Sequence, residues 1–127
     1  MSFAGAFAVG IGAMLGAWSR WGLGVLLNPL FPTVPLGTLS VNLVGAYLIG
    51  VAIELFVNHA GMSPELRLFV ITGFLGSMTT FSAFSAETVA LLARQQYAWA
   101  ATLIASHVIG SIAMTVLGIL TVKAFSG

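Results

Sequence analysis

The stretch TGFLGSMTTFSAFSAE, residues 72–87, is the most informative part of the chain because it interrupts a long apolar run with glycines and hydroxyl groups. Gly73 and Gly76 come first. Five hydroxyl-bearing residues follow them: Ser77, Thr79, Thr80, Ser82 and Ser85. Backbone that leaves a helix at membrane depth is tolerated only where protein or water surrounds it, and such interruptions mark ion sites in transporters. The stretch therefore predicts a broken membrane helix with a polar passage beside it.

The composition of the chain is that of a membrane protein. Of its 127 residues, 59% are hydrophobic and only 6% are charged, whereas about a quarter of the residues of a soluble domain carry charge. We therefore expect the chain to lie in a lipid bilayer. The formal net charge of +1 offers no basic surface for nucleic acid. The sequence has no cysteine, which excludes disulfides, thiolate metal sites and thiol nucleophiles. The first 19 residues contain no Lys or Arg, so we predict an uncleaved N-terminal helix.

Four apolar segments are long enough to cross a bilayer, which takes about 20 residues each. They cover approximately residues 3–27, 36–57, 66–93 and 97–125. The third is too long for one straight span, because about 28 residues reach roughly 42 Å and the hydrocarbon core is about 30 Å thick. A break near residues 76–80 resolves the excess. The prediction is an all-α membrane protein, with one integral membrane domain over residues 1–127, four transmembrane helices per chain and the third helix broken.

The predicted break has consequences for the residues around it. Thr79 or Thr80 can cap the second half of the helix. Carbonyl groups freed in the break would face inward, where a cation could bind them. Glu87 lies further along the same helix, and we expect its carboxylate to accept hydrogen bonds from hydroxyl groups or to lie at an aqueous mouth. A proton-coupling role for Glu87 is the alternative.

The first helix carries small residues at intervals of four, which let a second helix approach closely. These are Ala8, Gly12, Gly16 and Gly24, with Arg20 in the same series. We interpret the glycines as a packing seam. An arginine in or near a membrane helix usually reaches the interface or pairs. Arg20 is either an interfacial anchor or the positive vestibule of an anion pathway, and both interpretations stay open.

Polar and aromatic side chains recur on single helix faces. Asn42 in the second helix is either a partner in a hydrogen bond between helices or a donor in a pore. His107, Ser111 and Thr115 in the fourth helix are spaced by four and stack on one face, which favours a polar track. Phe81 and Phe84, three residues apart, share a face of the third helix. We do not expect His107 to bind a metal, because the other histidine, His59, lies in a loop.

The basic residues divide equally between the two sides of the predicted membrane domain. Arg67 and Lys123 lie on the side of the termini, and Arg20 and Arg94 lie on the opposite side. The positive-inside rule then favours neither orientation. The simplest consequence is insertion in both orientations, with opposed copies forming an antiparallel homodimer.

Three motifs together resemble the Fluc (CrcB) family of bacterial fluoride channels. They are G-x-x-G-x-x-T-T-F-S-x-F-S-x-E at residues 73–87, G-T-x-x-V-N-L at 37–43 and G-A-W-x-R-W at 16–21. The likeness covers nearly the whole chain. It implies a multi-pass protein of the bacterial inner membrane that is a fluoride-selective channel and not an enzyme. Such a channel exports fluoride passively down its electrochemical gradient and so relieves fluoride toxicity. The resemblance also implies a dual-topology antiparallel homodimer with two pores.

The resemblance also assigns roles to individual residues. It matches the family's pore asparagine to Asn42, its paired phenylalanines to Phe81 and Phe84, and its helix-four track to His107, Ser111 and Thr115. We expect the hydroxyl of Ser82 to belong to the same fluoride pathway, with Arg20 in its vestibule. A structural sodium ion at the dimer centre would be held by the backbone carbonyls of Gly76 and Thr79. The sequence departs from the family at Leu103, where some members have a polar aromatic residue, and at Ala83, which often is Thr.

The chemistry of fluoride agrees with these residue types. Fluoride is small and strongly hydrated, so a pore must replace its water with hydrogen-bond donors or with the positive edges of aromatic rings. The alternative is a small dual-topology, proton-coupled transporter of the multidrug type. That mechanism needs a membrane carboxylate, usually in the first helix, where this chain has Arg20; Glu87 is the candidate in its place. A third possibility is a scaffold subunit that transports nothing.

Overall fold

The computed structural model describes residues 1–126 as an all-helical chain with four helical stretches. Three of the stretches are continuous: α1 (Phe3–Leu27), α2 (Leu36–Asn58) and α6 (Tyr97–Ser126). The other, residues 64–93, consists of α3 (Pro64–Arg67), a π-helix (Leu68–Leu75), α4 (Gly76–Met78) and α5 (Phe81–Ala93). A 3₁₀ turn (Asn28–Leu30) follows α1. The predicted all-α class is confirmed.

Within the described residues, three helical stretches are long and apolar enough to cross a membrane. They are Leu36–Asn58, Pro64–Ala93 and Tyr97–Ser126, so three of the predicted spans are confirmed by length and composition. Helix α1 is 25 residues long, but its glycines, Ser19 and Arg20 make it less apolar. A membrane crossing by α1 stays a prediction.

The helix boundaries agree with the predicted ones to within two residues. The third stretch begins at Pro64 rather than at residue 66, because the Ser63 hydroxyl accepts a hydrogen bond from the Leu66 N–H at 3.1 Å. Proline is well tolerated in the first turn of a helix. Helix α2 and helix α6 each extend one residue beyond the predicted end, to Asn58 and Ser126.

Helix α1 packs closely on the 64–93 stretch through its glycines. A Cβ atom at Gly12 would contact the carbonyl oxygen of Phe69, and one at Gly16 would contact that of Phe74. From the opposite side, a Cβ at Gly73 would lie 2.6 Å from the Val9 carbonyl. Because backbone atoms cannot move away as a flexible side chain can, only glycine fits at these positions. The packing seam predicted for α1 is confirmed at Gly12 and Gly16.

Helices α2 and α6 meet in the same manner. A Cβ at Gly50 would contact the Thr115 carbonyl, and a Cβ at Gly118 would contact the Tyr47 carbonyl. The Tyr47 hydroxyl also donates a hydrogen bond to Thr121 Oγ1 at 3.0 Å. This close approach fixes the distance between the faces that carry the polar residues of the two helices.

The backbone of the third stretch changes conformation at Thr79 and Thr80. Thr79 (φ −80°, ψ 156°) and Thr80 (φ −148°, ψ 114°) are both extended and separate α4 from α5. The Thr80 hydroxyl accepts a hydrogen bond from the Ala83 N–H at 3.1 Å and so caps α5. Of the two predicted caps, Thr80 is the one that the structure uses.

The π-helix before this point was not predicted from the sequence. At its end the Gly76 N–H donates to the carbonyl of Ile71, five residues earlier. The run LFVITGFL contains no residue type that distinguishes a π-helix from an α-helix. π-Helical turns are rare and are frequent at functional sites. Here the π-helix contains Gly73, one of the positions where α1 packs closely.

Candidate functional site

A groove of about 520 Å³ is bordered by α2, by the 64–93 stretch and by α6. Eight of the predicted site residues line it: Asn42, Gly76, Thr79, Phe81, Phe84, His107, Ser111 and Thr115. The remaining lining is mostly aliphatic, with side chains such as Ile49, Leu75 and Ile112. The fold therefore brings residues from three helical stretches to one surface. Most of this surface is apolar, and its few polar groups have defined positions.

Asn42 holds the extended backbone at Thr80 through two hydrogen bonds. Its Oδ1 accepts from the Thr80 N–H at 2.8 Å, and its Nδ2 donates to the Thr80 carbonyl at 3.0 Å. The side-chain amide thus replaces the backbone partners that a continuous helix would supply to this residue. The predicted hydrogen bond between helices is confirmed for Asn42.

The second hydrogen of the Asn42 amide is directed to His107. The distance from Nδ2 to His107 Nδ1 is 3.0 Å, and the His107 side chain is buried, with 4% of its surface exposed. The imidazole also packs on Phe84, with ring centroids 4.8 Å apart. A direct contact between Asn42 and a transported anion would therefore displace a bond that Asn42 already makes.

The two phenylalanines of α5 are in contact but differ in burial. Their ring centroids are 5.4 Å apart with an interplanar angle of 64°, an edge-to-face arrangement. Phe84 is 8% exposed and packs in a hydrophobic cluster with Leu103, whereas Phe81 is 78% exposed. Both rings line the groove, so the shared face predicted from their spacing is confirmed.

The polar residues of α6 line the groove together. Ser111 is half-buried, and the Thr115 hydroxyl donates a hydrogen bond to the Ala46 carbonyl of α2 at 2.8 Å. Leu103, which precedes these residues on α6, is fully buried in the hydrophobic core and does not line the groove. Its departure from the family pattern is thus accommodated by packing.

Two carbonyl groups at the interruption lose their helical donors. The N–H groups of Thr80 and Ala83, four residues after Gly76 and Thr79, donate instead to Asn42 Oδ1 and to Thr80 Oγ1. The neighbouring carbonyls of Ser77 and Thr80 already accept hydrogen bonds from side chains. Arg20 Nε donates to the first at 3.0 Å, and Asn42 Nδ2 donates to the second. The Gly76 and Thr79 carbonyls are therefore suitable oxygen donors for a cation.

Arg20 lies at a second cavity, of about 510 Å³, on the other side of the interruption. Glu87, Thr38 and Asn28 line the same cavity. The Glu87 carboxylate accepts a hydrogen bond from the Thr38 hydroxyl at 2.6 Å, which confirms the predicted bond between Glu87 and a hydroxyl group. Arg20 is an exposed side chain anchored by its bond to Ser77.

Ser82 does not join the other predicted site residues. It is exposed, its hydroxyl lies 3.4 Å from that of Thr80, and it lines neither the groove nor the second cavity. On α5 it points away from the face of Phe81 and Phe84, since consecutive residues on a helix point in different directions.

Two structural roles at the site were not predicted from the sequence. Thr80 carries three of the hydrogen bonds described above, although the sequence indicated it only as a possible cap. Asn28, in the connection after α1, accepts a hydrogen bond from the Thr38 N–H at 3.1 Å. Asparagine in a turn often binds nearby backbone groups, and this preference is the one sequence signal for Asn28.

Comparison with known proteins identifies the family of the chain. Residues 7–119 match the sequence model of the family described as CrcB-like protein, Camphor Resistance (CrcB). The chain belongs to the CrcB-like family. A CrcB-like relative from Nitrosospira multiformis is 65% identical over 116 residues, which are 91% of each chain. A second, from Ralstonia pickettii, is 54% identical over 126 residues, 99% of this chain and all of that one. Both are named fluoride-specific ion channel FluC.

A CrcB-like protein from Pseudomonas putida carries the same name and is 55% identical over 120 residues, 94% of each chain. The family is one of channels and not of enzymes. With its apolar helices, the CrcB-like chain is a multi-pass protein of the bacterial inner membrane. The resemblance stated from the sequence motifs is thereby confirmed.

Proposed function

We propose that the protein is a fluoride-selective channel that exports fluoride passively and so relieves fluoride toxicity. The observation that carries the proposal is the groove, where polar groups of three helical stretches share one otherwise apolar surface. The names of relatives that match over nine-tenths of the chain support fluoride as the ion. Passive flow requires no energy source.

The groove can offer a small anion both a hydroxyl donor and the positive edge of an aromatic ring. Ser111 can offer a hydroxyl hydrogen, and the exposed ring of Phe81 can present its positive edge. Phe84 and His107 lie behind them, and Thr115 continues the series along α6. Selective conduction needs contacts strong enough to admit the ion and weak enough to release it. A few neutral donors in an apolar surround meet both requirements.

Arg20 and its cavity form the vestibule of the proposed pathway. The guanidinium is fixed by its bond to the Ser77 carbonyl and leaves further N–H donors at the cavity. A positive group at the mouth raises the local concentration of anions. Ser82, exposed at the start of α5, belongs to the approach rather than to the groove in this proposal.

The working unit of the proposal is an antiparallel homodimer. The groove is open along one side, and Phe81 at its edge is 78% exposed. An opposed second copy would cover this side and complete a closed pathway, one for each copy. The equal division of basic residues between the two ends supports insertion in both orientations. In this arrangement the extended residues Thr79 and Thr80 form the break of the third membrane span.

A sodium ion at the centre of the dimer is the structural cofactor of the proposal. The Gly76 and Thr79 carbonyls, which lost their helical donors, fit it, since unwound backbone carbonyls bind sodium in transporters. Two copies would supply four carbonyls, so the ion would link the subunits. A structure of the dimer, or an anomalous-scattering map, that shows only apolar atoms next to these carbonyls would contradict the sodium site. Thr79→Ala should be mild because it keeps the carbonyl.

Fluoride efflux from liposomes containing the purified protein tests the function. We expect rapid fluoride release with a potassium ionophore present, and little chloride release under the same conditions. Protein-free liposomes are the control. Equal release of both ions would contradict fluoride selectivity. Release that required a proton gradient would instead support a proton-coupled transporter.

A further inference from the structure

Gly45 of α2 lies against the extended segment of the third stretch. A Cβ atom at Gly45 would contact the Cγ2 methyl group of Thr79 and would lie 3.3 Å from Met78 Cε. Gly45 is buried, and it lines the groove together with Thr79. It differs from Gly16 and Gly50, whose added Cβ atoms would contact backbone carbonyls of a neighbouring helix. The absence of a side chain at Gly45 therefore leaves room for one particular side chain at the interruption.

The Thr79 methyl group cannot turn away from Gly45 without the loss of a hydrogen bond. The Thr79 hydroxyl donates to the Leu75 carbonyl at 2.9 Å, and the Thr79 N–H donates to the same carbonyl at 3.1 Å. The side chain of threonine has three staggered positions about its first bond. Because the hydroxyl is held in one of them, the chirality of Cβ fixes the position of the methyl group. Rotation of the side chain would move the methyl group and break the bond of the hydroxyl.

The direction of the Thr79 carbonyl is set by a second residue of α2. Residues 1–126 contain no cis peptide bond, and in a planar trans peptide group the carbonyl and the following N–H point in opposite directions. The Thr80 N–H donates to Asn42 Oδ1 at 2.8 Å, so the Thr79 carbonyl is directed away from Asn42. Asn42 and Gly45, three residues apart, thus act on the same short segment. Asn42 binds its peptide group, and Gly45 makes room for its side chain.

We infer that Gly45 is a positioning residue for the proposed sodium ion, because the space beside it lets Thr79 keep the conformation that leaves its carbonyl available. The inference deepens the proposed function and rests on it for the identity of the cation. A side chain at Gly45 would displace Thr79. Since the side chain and the carbonyl of Thr79 are attached to the same Cα, the carbonyl would move as well. The groups of a binding site must be held within about 0.5 Å of their working positions, so sodium binding should weaken.

The thermal stability of the purified protein at different sodium concentrations measures this effect. An ion that binds only the folded protein raises the midpoint of thermal unfolding by an amount that depends on its concentration and affinity. Sodium chloride is varied against N-methylglucamine chloride, so that the ionic strength stays constant. We expect the wild-type midpoint to rise with sodium. Gly45→Ala should need at least about tenfold more sodium for the same rise. A purely structural role of Gly45 would lower the midpoint equally at every sodium concentration.

A compensating substitution tests the contact itself. Thr79→Ser removes the Cγ2 methyl group but keeps the hydroxyl that binds the Leu75 carbonyl. The double variant Gly45→Ala/Thr79→Ser should therefore respond to sodium within about threefold of the wild type, and Thr79→Ser alone should match the wild type. Gly110→Ala is the matched control outside the groove, because its added Cβ would lie 2.9 Å from Leu43 Cδ2, the flexible end of a side chain. Its sodium response should stay unchanged.

The outcomes distinguish this inference from the proposed function. A wild-type sodium response in Gly45→Ala would overturn the inference and leave the sodium site and the channel intact. If Gly45→Ala does not fold, the double variant decides: recovery of both folding and the sodium response supports the inference, and failure to recover either one overturns it. A wild-type protein that does not respond to sodium would contradict the proposed sodium site and the inference with it. Fluoride efflux from the same preparation decides the channel function separately.

Discussion

Asn42 and Thr80 are joined by two hydrogen bonds of opposite direction, at 2.8 Å and 3.0 Å. The side chain of one helix thereby supplies both backbone partners that Thr80 lacks where the third stretch is extended. Each of these bonds contributes about 1 kcal/mol net, and a buried group left without its partner costs about 1–3 kcal/mol. The pair couples the position of α2 to the conformation between α4 and α5.

Replacement of Asn42 by aspartate should impair conduction. Asn42→Asp keeps the acceptor for the Thr80 N–H but turns a carboxylate oxygen toward the Thr80 carbonyl and His107 Nδ1. Its negative charge would also repel an anion in the groove. We expect fluoride efflux to fall about tenfold or more, whereas Asn42→Ser, which keeps one donor, should retain some efflux. Asn58→Asp, at the exposed end of α2, is the control, and normal efflux through Asn42→Asp would contradict a role for this amide.

Replacement of the two phenylalanines by isoleucine should separate packing from conduction. Phe81→Ile removes an exposed ring edge and should leave stability unchanged. Phe84→Ile disturbs a buried contact with His107 and should cost about 1–1.5 kcal/mol. Both should lower fluoride efflux strongly while size-exclusion profiles stay unchanged. Phe125→Ile, at the exposed end of α6, is the control. Normal efflux through the double variant would end the aromatic-edge hypothesis.

Only the glycines on the outer face of α1 should tolerate substitution by alanine. Gly16→Ala would press a methyl group on the Phe74 carbonyl, so we expect a loss of about 1–3 kcal/mol and a lower yield of monodisperse protein. At Gly10 and Gly22 no atom lies within 4 Å of an added Cβ, and Gly10→Ala is the matched control. Thermal unfolding followed by fluorescence size-exclusion chromatography measures the difference. Equal stability of Gly16→Ala and Gly10→Ala would show that α1 does not pack as described.

Arg20 should act mainly through its positive charge. Arg20→Lys keeps the charge but loses the geometry of the Nε bond to Ser77, whereas Arg20→Gln loses the charge. We expect Arg20→Gln to lower the fluoride efflux rate about threefold to tenfold at low salt and less at high salt, since salt screens such attraction. Arg20→Lys should remain close to wild type. Arg94→Gln, in a different connection, is the control. An equal effect of both Arg20 substitutions would indicate an anchor instead of a vestibule.

The orientation of the chain tests the antiparallel dimer. Because Arg20 and Arg94 balance Arg67 and Lys123, tags at the C-terminus should be found on both sides of the membrane in cells. Two or three lysines added to one end should force a single orientation and abolish efflux. A second variant with lysines at the other end, expressed together with the first, should restore it. A single orientation of the unmodified chain would exclude the antiparallel arrangement.

Much of the site was predictable because helical periodicity is local. The spacing of Phe81 and Phe84, and that of His107, Ser111 and Thr115, placed each set on one face without knowledge of the neighbouring helices. Ser82 was included for its hydroxyl group, and it does not line the groove. The π-helix and the hydrogen bond from Thr38 to Asn28 were not predicted, because each depends on which backbone atoms another segment brings nearby.

Hydropathy, capping and side-chain size along the chain were enough to predict the all-helical membrane character, the helix boundaries to within two residues and the glycine seam of α1. Which polar groups meet depends instead on how the helices pack. The sequence left open whether Asn42 binds protein or ion, and packing of α2 against α5 and α6 commits both its hydrogens to Thr80 and His107. A donor has a fixed number of hydrogens, and the distances between helices decide where each one goes.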